Sequence, residues 1–268
     1  VCDHTIWIAQ KNRSKVSIFN VIDVTETSHN AANFSGNLIA EARSTLLSEL
    51  AELDNKRAKL AQKKGRLILE NSAARFIAGG LKNIETHLRN GDFVDTVTEF
   101  HQEADILIIG KRGEAANFAK LHLGSNLERL IRAANKPVLV AARNFKPIKR
   151  VLIGFDGGKS AIRAVEHVSN HDLFKDLECH LLSAGRIDIN RKRKLEAAER
   201  LLTEKGRKTK TFKTEGDAET VISDHVEQHN IDLLVVGAYG HSRIRNLMIG
   251  STTTQMIRSC LIPVLLFR

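Results

Sequence analysis

Asp232-Leu-Leu-Val-Val-Gly237 is a short apolar segment that ends in glycine, and Asp105-Ile-Leu-Ile-Ile-Gly110 nearly repeats it 127 residues earlier. Three further pairs of segments recur in the same order at almost the same spacing: Gly91-Asp92 with Gly216-Asp217, Gly124-Ser125 with Gly250-Ser251, and Pro137-Val-Leu139 with Pro263-Val-Leu265. This period is longer than the roughly 20–45 residues of a solenoid repeat. We therefore expect two copies of one domain, each with its own core.

The repeat divides the 268-residue chain into two domains of ordinary size. We assign residues 1–142 to the first domain, residues 143–149 with Pro147 to a linker, and residues 150–268 to the second domain.

Short apolar runs alternate with amphipathic segments in the second copy. Uninterrupted apolar runs are typical of strands buried on both faces, and this alternation predicts a parallel sheet covered by helices. The predicted strands are 151–155, 179–183, 208–214, 233–237 and 264–267, and the predicted helices are 160–168, 191–205, 218–228 and 252–260. The fold class is therefore α/β, with two tandem open five-stranded parallel-sheet domains of Rossmann-like type.

The first copy differs from the second at its beginning and in its middle. It has predicted strands at 16–21, 83–89 and 106–110, a polar loop at 25–35 and a long helical pattern from Leu38 to about Leu81. No strand precedes the predicted first helix, 3–10, and alignment of 1–4 with 164–167 places that strand before Val1. A sheet without a central strand would expose its core. We therefore expect that the first domain lacks its first strand here, because the chain is truncated or because its opening segment was removed or not resolved.

The composition argues against several classes of protein. The longest apolar runs, 106–109 and 233–236, are far shorter than the roughly 20 residues that cross a bilayer, so we expect no membrane insertion. The three cysteines lie far apart and form no Cys-x2-Cys pair, which disfavours a disulfide framework and a cysteine-rich zinc site. This cysteine usage is typical of a reducing cytoplasm.

The net charge of +10 is concentrated in residues 186–213, which contain 11 basic and four acidic residues. Such a stripe attracts anions, including nucleic acid. However, it contains one aromatic residue, Phe212, and no nucleic-acid-binding motif. We therefore expect a solvated helix face and disfavour a nucleic-acid partner.

A candidate anion site follows the strand at 233–237. Gly237-Ala-Tyr-Gly240 is followed by nine residues and then by Gly250-Ser251-Thr252. Glycines let backbone N–H groups approach an anion, and the N-terminus of the next helix favours a phosphate. Arg243 and Arg245 add positive charge. Turning glycines and a helix-capping Ser251 are the structural alternative.

Asp156 follows the first strand of the same copy, so we expect it at the same edge of the sheet. Its carboxylate can accept a hydrogen bond from an adenine amino group or a ribose hydroxyl. A simple turn-forming role before Gly157-Gly158 is the alternative.

The Gly-x2-Gly-x9-Gly-Ser pattern behind a strand, with Phe155-Asp156-Gly157 at the end of the first strand, resembles the universal stress protein family. The chain is similar to a tandem member with two fused domains. The resemblance implies a stress-response regulator of the cytoplasm that binds ATP, with or without Mg²⁺. It implies ATP contacts at Asp156, Gly237, Gly240, Gly250, Ser251 and Thr252, and a backbone contact near Ala184. It also implies dimerisation through the last strand, so the two copies would form a pseudo-dimer within one chain, with a homodimer as a further possibility.

The first copy departs from this pattern. Gly110-Lys-Arg-Gly113 is followed by ten residues before Gly124-Ser125, one more than in the second copy, and the acidic partner falls in the missing region. Lys111 and Arg112 keep an anion site plausible there. We expect a weaker site at Gly110, Gly113, Gly124 and Ser125.

Other motifs carry less weight. Gly158-Lys159-Ser160 lacks the correctly spaced glycine of a P-loop. The pairs His225/His229 and His167/His171 have i, i+4 spacing, but no third metal ligand is evident, so no metal site is assigned. No nucleophile with a base can be named, so we assign no catalytic residue and expect slow ATP hydrolysis at most.

Three functions remain open. The first is a regulator in which ATP fixes the Gly240–Gly250 loop and changes a surface for an unidentified protein partner. The second is a slow ATPase or phosphotransferase. The third is a scaffold that binds protein, lipid or RNA without a nucleotide, through the basic stripe and the long first-copy helix.

Overall fold

A computed structural model of the chain describes residues 1–22, 40–101, 103–111, 125–238 and 261–268. The strands are β1 (Val16–Ile22), β2 (Ile84–Asn90), β3 (Leu107–Gly110), β4 (Val138–Ala141), β5 (Arg150–Gly154), β6 (Glu178–Ala184), β7 (Lys208–Thr214), β8 (Leu233–Gly237) and β9 (Val264–Phe267). The helices are α1 (Cys2–Asn12), α2 (Ala40–Ala78), α3 (Phe93–His101), α4 (Ser125–Ala133), α5 (Lys159–Asn170), α6 (Ile189–Glu204) and α7 (Ala218–Gln228). The predicted loop 25–35 and the predicted helix 252–260 lie outside the described residues.

The described chain forms two compact units. One contains Ser14–Glu99 with Cys2, and the other contains Asp3–Arg13 and Phe100–Arg268 with Val1. These two units are defined by contacts within the structure and do not correspond to the two sequence repeats. The domain boundaries at 1–142 and 150–268 therefore stay a prediction. None of the described helices is long and apolar enough to span a bilayer.

In the unit of residues 14–99, β1 and β2 pair in parallel, with Val16 opposite Ile84 and Ile22 opposite Asn90. Helix α2 lies against this pair of strands, and at Gly65 the helix backbone comes close to side chains of both strands. A Cβ atom at Gly65 would lie 2.6 Å from Cδ1 of Leu88 and 2.9 Å from Oδ1 of Asn20. Glycine therefore allows the long helix to lie close to the strands.

In the other unit, seven strands form one sheet in the order β3-β4-β9-β8-β5-β6-β7. The five strands of the second copy are contiguous and all parallel, so the predicted open parallel sheet of this copy is confirmed. Strand β4 pairs antiparallel with β9, with Val138 opposite Leu266 and Val140 opposite Val264. The last strands of the two copies therefore pair within one chain, as expected for an intrachain pseudo-dimer.

The four strands of the first copy are divided between two sheets. Strands β1 and β2 form their own sheet, whereas β3 and β4 extend the sheet of the second copy. Among the described residues, no strand connects β1 to β3.

Two details of the repeat are reproduced in the backbone. Asp92 accepts hydrogen bonds from N–H groups at the start of α3, and Asp217 does the same for α7. Each aspartate follows a glycine at positive φ, 144° at Gly91 and 130° at Gly216. The predicted equivalence of Gly91-Asp92 and Gly216-Asp217 is therefore structural: both are a turn followed by a helix N-cap.

The core of the seven-stranded sheet has two faces, because side chains alternate along each strand. On β5, Val151 and Ile153 point to the face that is covered by α1, α5 and α6. Leu152 points to the opposite face, which carries α4 and α7. Both faces are apolar, which explains the uninterrupted hydrophobic runs of these strands.

Candidate functional site

The carboxyl ends of three neighbouring strands, β8, β5 and β6, meet at one edge of the sheet. They bring together three of the predicted site residues: Gly237 at the end of β8, Asp156 just after β5, and Ala184 at the end of β6. This is the edge at which open α/β sheets bind their ligands. The sequence placed these three residues correctly with respect to the strands, and their role as ligand contacts stays a prediction.

Asp156 shapes the turn that leads from β5 into α5. Its Oδ1 accepts a hydrogen bond of 2.8 Å from the N–H of Gly158, the N-cap residue of α5. Between them, Gly157 has a φ of 77°, which favours glycine. The turn-forming role considered for Asp156 is therefore present. A carboxylate that uses one oxygen in a turn can still accept further hydrogen bonds.

Gly237 is required by the packing of the sheet edge against α5. A Cβ atom at this position would lie 2.8 Å from Cβ of Ser160 and 3.0 Å from the backbone nitrogen of Ala161. Next to it, the Ser160 hydroxyl donates a hydrogen bond of 3.1 Å to the carbonyl oxygen of Ala238. The first turn of α5 is thus held directly against the end of β8, and these two elements together build the edge.

Two cationic side chains of α6 bind backbone carbonyl oxygens at this edge. Nη2 of Arg191 donates to the carbonyl oxygen of Ala184 at 2.9 Å and to that of Phe155 at 3.1 Å. Nζ of Lys194 donates to the carbonyl oxygen of Gly157 at 2.9 Å. The edge therefore carries two positive charges next to Asp156, and the Ala184 backbone predicted to contact a ligand already has a side-chain partner.

Most of the basic residues of 186–213 are exposed, as expected for a solvated face, but three of them bond to backbone carbonyl oxygens. Besides Arg191 and Lys194, Arg207 is turned inward and is only 7% exposed. It donates to the carbonyl oxygens of Val168, Ser169 and His171, at the C-terminal end of α5. These three basic side chains satisfy backbone groups, so the stripe offers less free charge than the sequence suggests.

The remaining predicted contacts of the second copy, Gly240, Gly250, Ser251 and Thr252, lie outside the described residues, as do Arg243 and Arg245. In the first copy, Gly110 ends β3 and Ser125 begins α4, whereas Arg112, Gly113 and Gly124 lie outside the described residues.

A second group of side chains lies on the face of β6 that α7 covers. The sequence alone did not connect its members, because His180 and His225 are 45 residues apart. His180 of β6 meets His225 and His229, whose nitrogens form with it a set able to hold a metal ion. The statement that no third ligand accompanies the His225/His229 pair is therefore wrong. Burial, reinforced by the other two histidines, lowers the pKa of His225 to about 4, and burial also lowers the pKa of His180.

The buried cysteine of the second copy does not offer a nucleophile. Cys179 lies in the core of β6, where burial raises the pKa of its thiol to about 12. The thiolate required for nucleophilic attack is therefore not available near neutral pH.

The sequence profile of the Universal stress protein family matches this chain at residues 1–142 and 182–268. The chain belongs to the universal stress protein family. The two matched ranges include Ala184 and Gly237 but not Asp156. One matched range lies in each copy, which agrees with the predicted tandem organisation.

Individual universal stress proteins support the assignment over the whole chain. The chain is 35% identical to Universal stress protein Slr1230 of Synechocystis sp., over 99% of this chain and 93% of the relative. The crystal structure of a universal stress protein from Archaeoglobus fulgidus superposes with a TM-score of 0.70 and 21% identity, covering 98% of this chain and 91% of the other. A putative universal stress protein from Pseudomonas aeruginosa gives a TM-score of 0.58 at 17% identity, covering 95% and 94%. These two structures establish the shared fold.

Proposed function

We propose that this universal stress protein binds one adenine nucleotide, ATP in the first instance, at the sheet edge of its second copy. In this proposal, Asp156 and the Ala184 backbone contact the nucleoside. The segment from Gly237 to Thr252 contacts the phosphates, and Mg²⁺ accompanies them. The first copy, with its altered glycine spacing, binds weakly or not at all.

The observation that carries the proposal is the meeting of Asp156, Ala184 and Gly237 at the ends of three adjacent parallel strands. An acceptor carboxylate, a backbone carbonyl and the start of a glycine-rich segment lie where a nucleotide fits an open α/β sheet. The phosphate side of the proposal rests on the sequence pattern, because Tyr239–Cys260 lie outside the described residues.

Electrostatics at the edge favour an anionic ligand. Lys194 projects from α6 to this edge and donates a hydrogen bond to the carbonyl oxygen of Gly157. Fixed positive charge beside a backbone-lined edge raises the local concentration of anions such as ATP. In this proposal, the adenine amino group and Arg191 compete for the backbone oxygen of Ala184.

Binding of ATP serves regulation in this proposal. The nucleotide touches both the rigid edge and the Gly240–Gly250 segment, so occupancy changes the surface that this segment presents to a protein partner in the cytoplasm. We expect ATP hydrolysis to be slow at most.

Isothermal titration of ATP into untagged, nucleotide-free protein tests the proposal, with and without Mg²⁺. We expect about one site per chain. Ser251→Ala should weaken binding, whereas Ser125→Ala, the equivalent change in the first copy, should leave it unchanged.

Asp156→Asn provides a second, fold-preserving test. The asparagine oxygen can still accept from Gly158 N–H, but the other carboxylate oxygen is replaced by a donor. We expect a loss of about tenfold in affinity, roughly 1.4 kcal/mol. Equal affinity in the wild type, Asp156→Asn and Ser251→Ala proteins would contradict the assigned site.

A further inference from the structure

Three histidines from two elements converge on the face of β6 that α7 covers. His180 lies on β6, His225 lies in α7, and His229 is the residue that caps the C-terminus of α7. One ring nitrogen from each lies within 4.8 Å of the other two. His180 and His225 are buried, at 2% and 7% exposure, and His229 is partly exposed.

The fold accounts for this convergence. Side chains alternate along β6, so Cys179 and Leu181 enter one core and His180 and Leu182 face the other side, where α7 packs. On α7, the i, i+4 spacing places His225 and His229 one turn apart on the same face. The packing of α7 on β6 then adds the ring of His180, which lies 45 residues before His225 in the sequence.

Hydrogen bonds orient the buried rings. Nδ1 of His180 lies 2.8 Å from Nε2 of His225, and Nε2 of His180 lies 3.1 Å from a carboxylate oxygen of Glu178. Because a carboxylate accepts, Glu178 holds the proton of His180 on Nε2 and leaves a lone pair on Nδ1, directed at His225. A carboxylate behind a histidine is the usual outer-shell partner of a metal-binding imidazole.

The surroundings favour a soft or borderline cation over a hard one. Phe212 of β7 lies against all three rings, with centroid distances of 5.0, 4.5 and 5.2 Å to His180, His225 and His229. The nearby carboxylate of Glu178 is engaged by His180 and by Lys210, whose Nζ lies 2.6 Å away. Three imidazole ligands beside an aromatic ring favour Zn²⁺ and other divalent first-row transition metals. Mg²⁺ and Ca²⁺, in contrast, require oxygen ligands.

We propose that His180, His225 and His229 bind a single first-row transition-metal dication, with Zn²⁺ as the reference ion. Metal binding replaces the His180–His225 hydrogen bond. Zinc bonds of about 2.0–2.1 Å at a tetrahedral angle separate neighbouring nitrogens by about 3.3 Å, so these two rings must part by about 0.5 Å. The partly exposed His229 leaves the fourth position open to water.

The competing explanation is a cluster of aromatic rings that is held by tilted and edge-on ring contacts and by the His180–His225 hydrogen bond, with no ion. Ring contacts with Phe212 do not by themselves bring nitrogens of three histidines within 4.8 Å of one another. The pair His167/His171 offers an internal comparison, because its rings stack at a centroid distance of 3.8 Å and no third histidine of the described residues joins them in a metal-binding group.

The test is a Zn²⁺ titration of untagged, chelator-treated full-length protein, in competition with a chromogenic chelator. Co²⁺ serves as a second probe, because its visible absorption reports coordination by nitrogen. We expect one equivalent of metal per chain. His229→Gln should weaken binding by more than the roughly 10–100-fold that is typical of outer-shell changes, and Glu178→Gln should weaken it within that range. The matched control His171→Gln should retain the wild-type affinity.

Far-UV circular dichroism of each variant verifies that it is folded. We choose His229 for the ligand substitution because it is partly exposed, so its replacement disturbs the core least. Absence of Zn²⁺ and Co²⁺ binding in the wild-type protein would overturn the proposal. So would binding that His229→Gln leaves intact or that His171→Gln removes. The metal proposal is independent of the nucleotide proposal, since the two sites use different residues.

Discussion

The guanidinium group of Arg191 donates a hydrogen bond of 2.9 Å to the backbone carbonyl oxygen of Ala184. The same nitrogen also donates to the carbonyl oxygen of Phe155, so one side chain of α6 joins the ends of β5 and β6. These carbonyl oxygens lie at the edge that we assign to the nucleoside. Arg191 therefore competes with a nucleotide for backbone acceptors.

Replacing Arg191 by methionine should increase the affinity for ATP. Without the guanidinium group, the Ala184 carbonyl oxygen is open to the adenine amino group, and removal of one competing hydrogen bond corresponds to about tenfold in Kd. Calorimetric titration measures the change. Lys192→Met is the matched control, because it removes the same charge from an exposed neighbour on α6. Equal affinities for the two variants would show that Arg191 does not compete.

Arg207→Met should destabilise the protein by about 3 kcal/mol, because buried carbonyl oxygens at the end of α5 lose a charged donor. The side chain is 7% exposed and bonds to three carbonyl groups. Urea denaturation gives the free energy of unfolding. The exposed Lys208→Met should change it by less than about 0.5 kcal/mol. A small effect for both variants would contradict a structural role of Arg207.

Gly237→Ala should destabilise the second copy by about 1–3 kcal/mol, as overpacking does in other cores. The added methyl group meets Cβ of Ser160 and the backbone nitrogen of Ala161, and backbone atoms cannot rotate away. The midpoint of urea denaturation should fall at an unchanged slope. An unchanged midpoint would indicate that α5 moves freely away from β8.

The free energy of unfolding should fall in mild acid, because the folded protein disfavours protonation of His167. Burial, with a smaller contribution from His171, lowers its pKa to about 4 from 6.5. Between these two values the unfolded chain binds a proton that the folded chain excludes, so stability falls as the pH drops from 7 to 4. At pH 5, His167 alone should lower the free energy of unfolding by about 2 kcal/mol relative to pH 7.

Denaturation at a series of pH values measures this effect. His167→Gln should flatten the profile between pH 7 and pH 4. The remaining slope should come mainly from His4 and His225, because burial lowers both pKa values to about 4. A His167→Gln profile as steep as that of the wild type would exclude His167 as a cause.

The sequence predicted the parallel sheet well because the relevant signals are local. Strands such as β5 and β8 are buried on both faces, so they are continuous apolar runs, and the repeated Gly-Asp pairs mark two equivalent helix starts. The sequence also located Asp156, Ala184 and Gly237, because the end of a predicted strand fixes the edge of the sheet.

The contacts that the sequence missed depend on tertiary packing. His180 is 45 residues from His225, and only the packing of α7 on β6 joins them. The direction of an arginine head group is equally non-local: Arg191 and Arg207 belong to a charged segment that is typical of a solvated surface, yet both bond to carbonyl groups of other elements.

The central claim is that the second copy holds one adenine nucleotide. The most direct measurement is to purify the protein without added nucleotide, denature it, and quantify the released small molecules by liquid chromatography and mass spectrometry, with an ATP titration of any empty fraction. The account predicts that released and titrated adenine nucleotide together amount to about one equivalent per chain. No released nucleotide and no binding of ATP would contradict it.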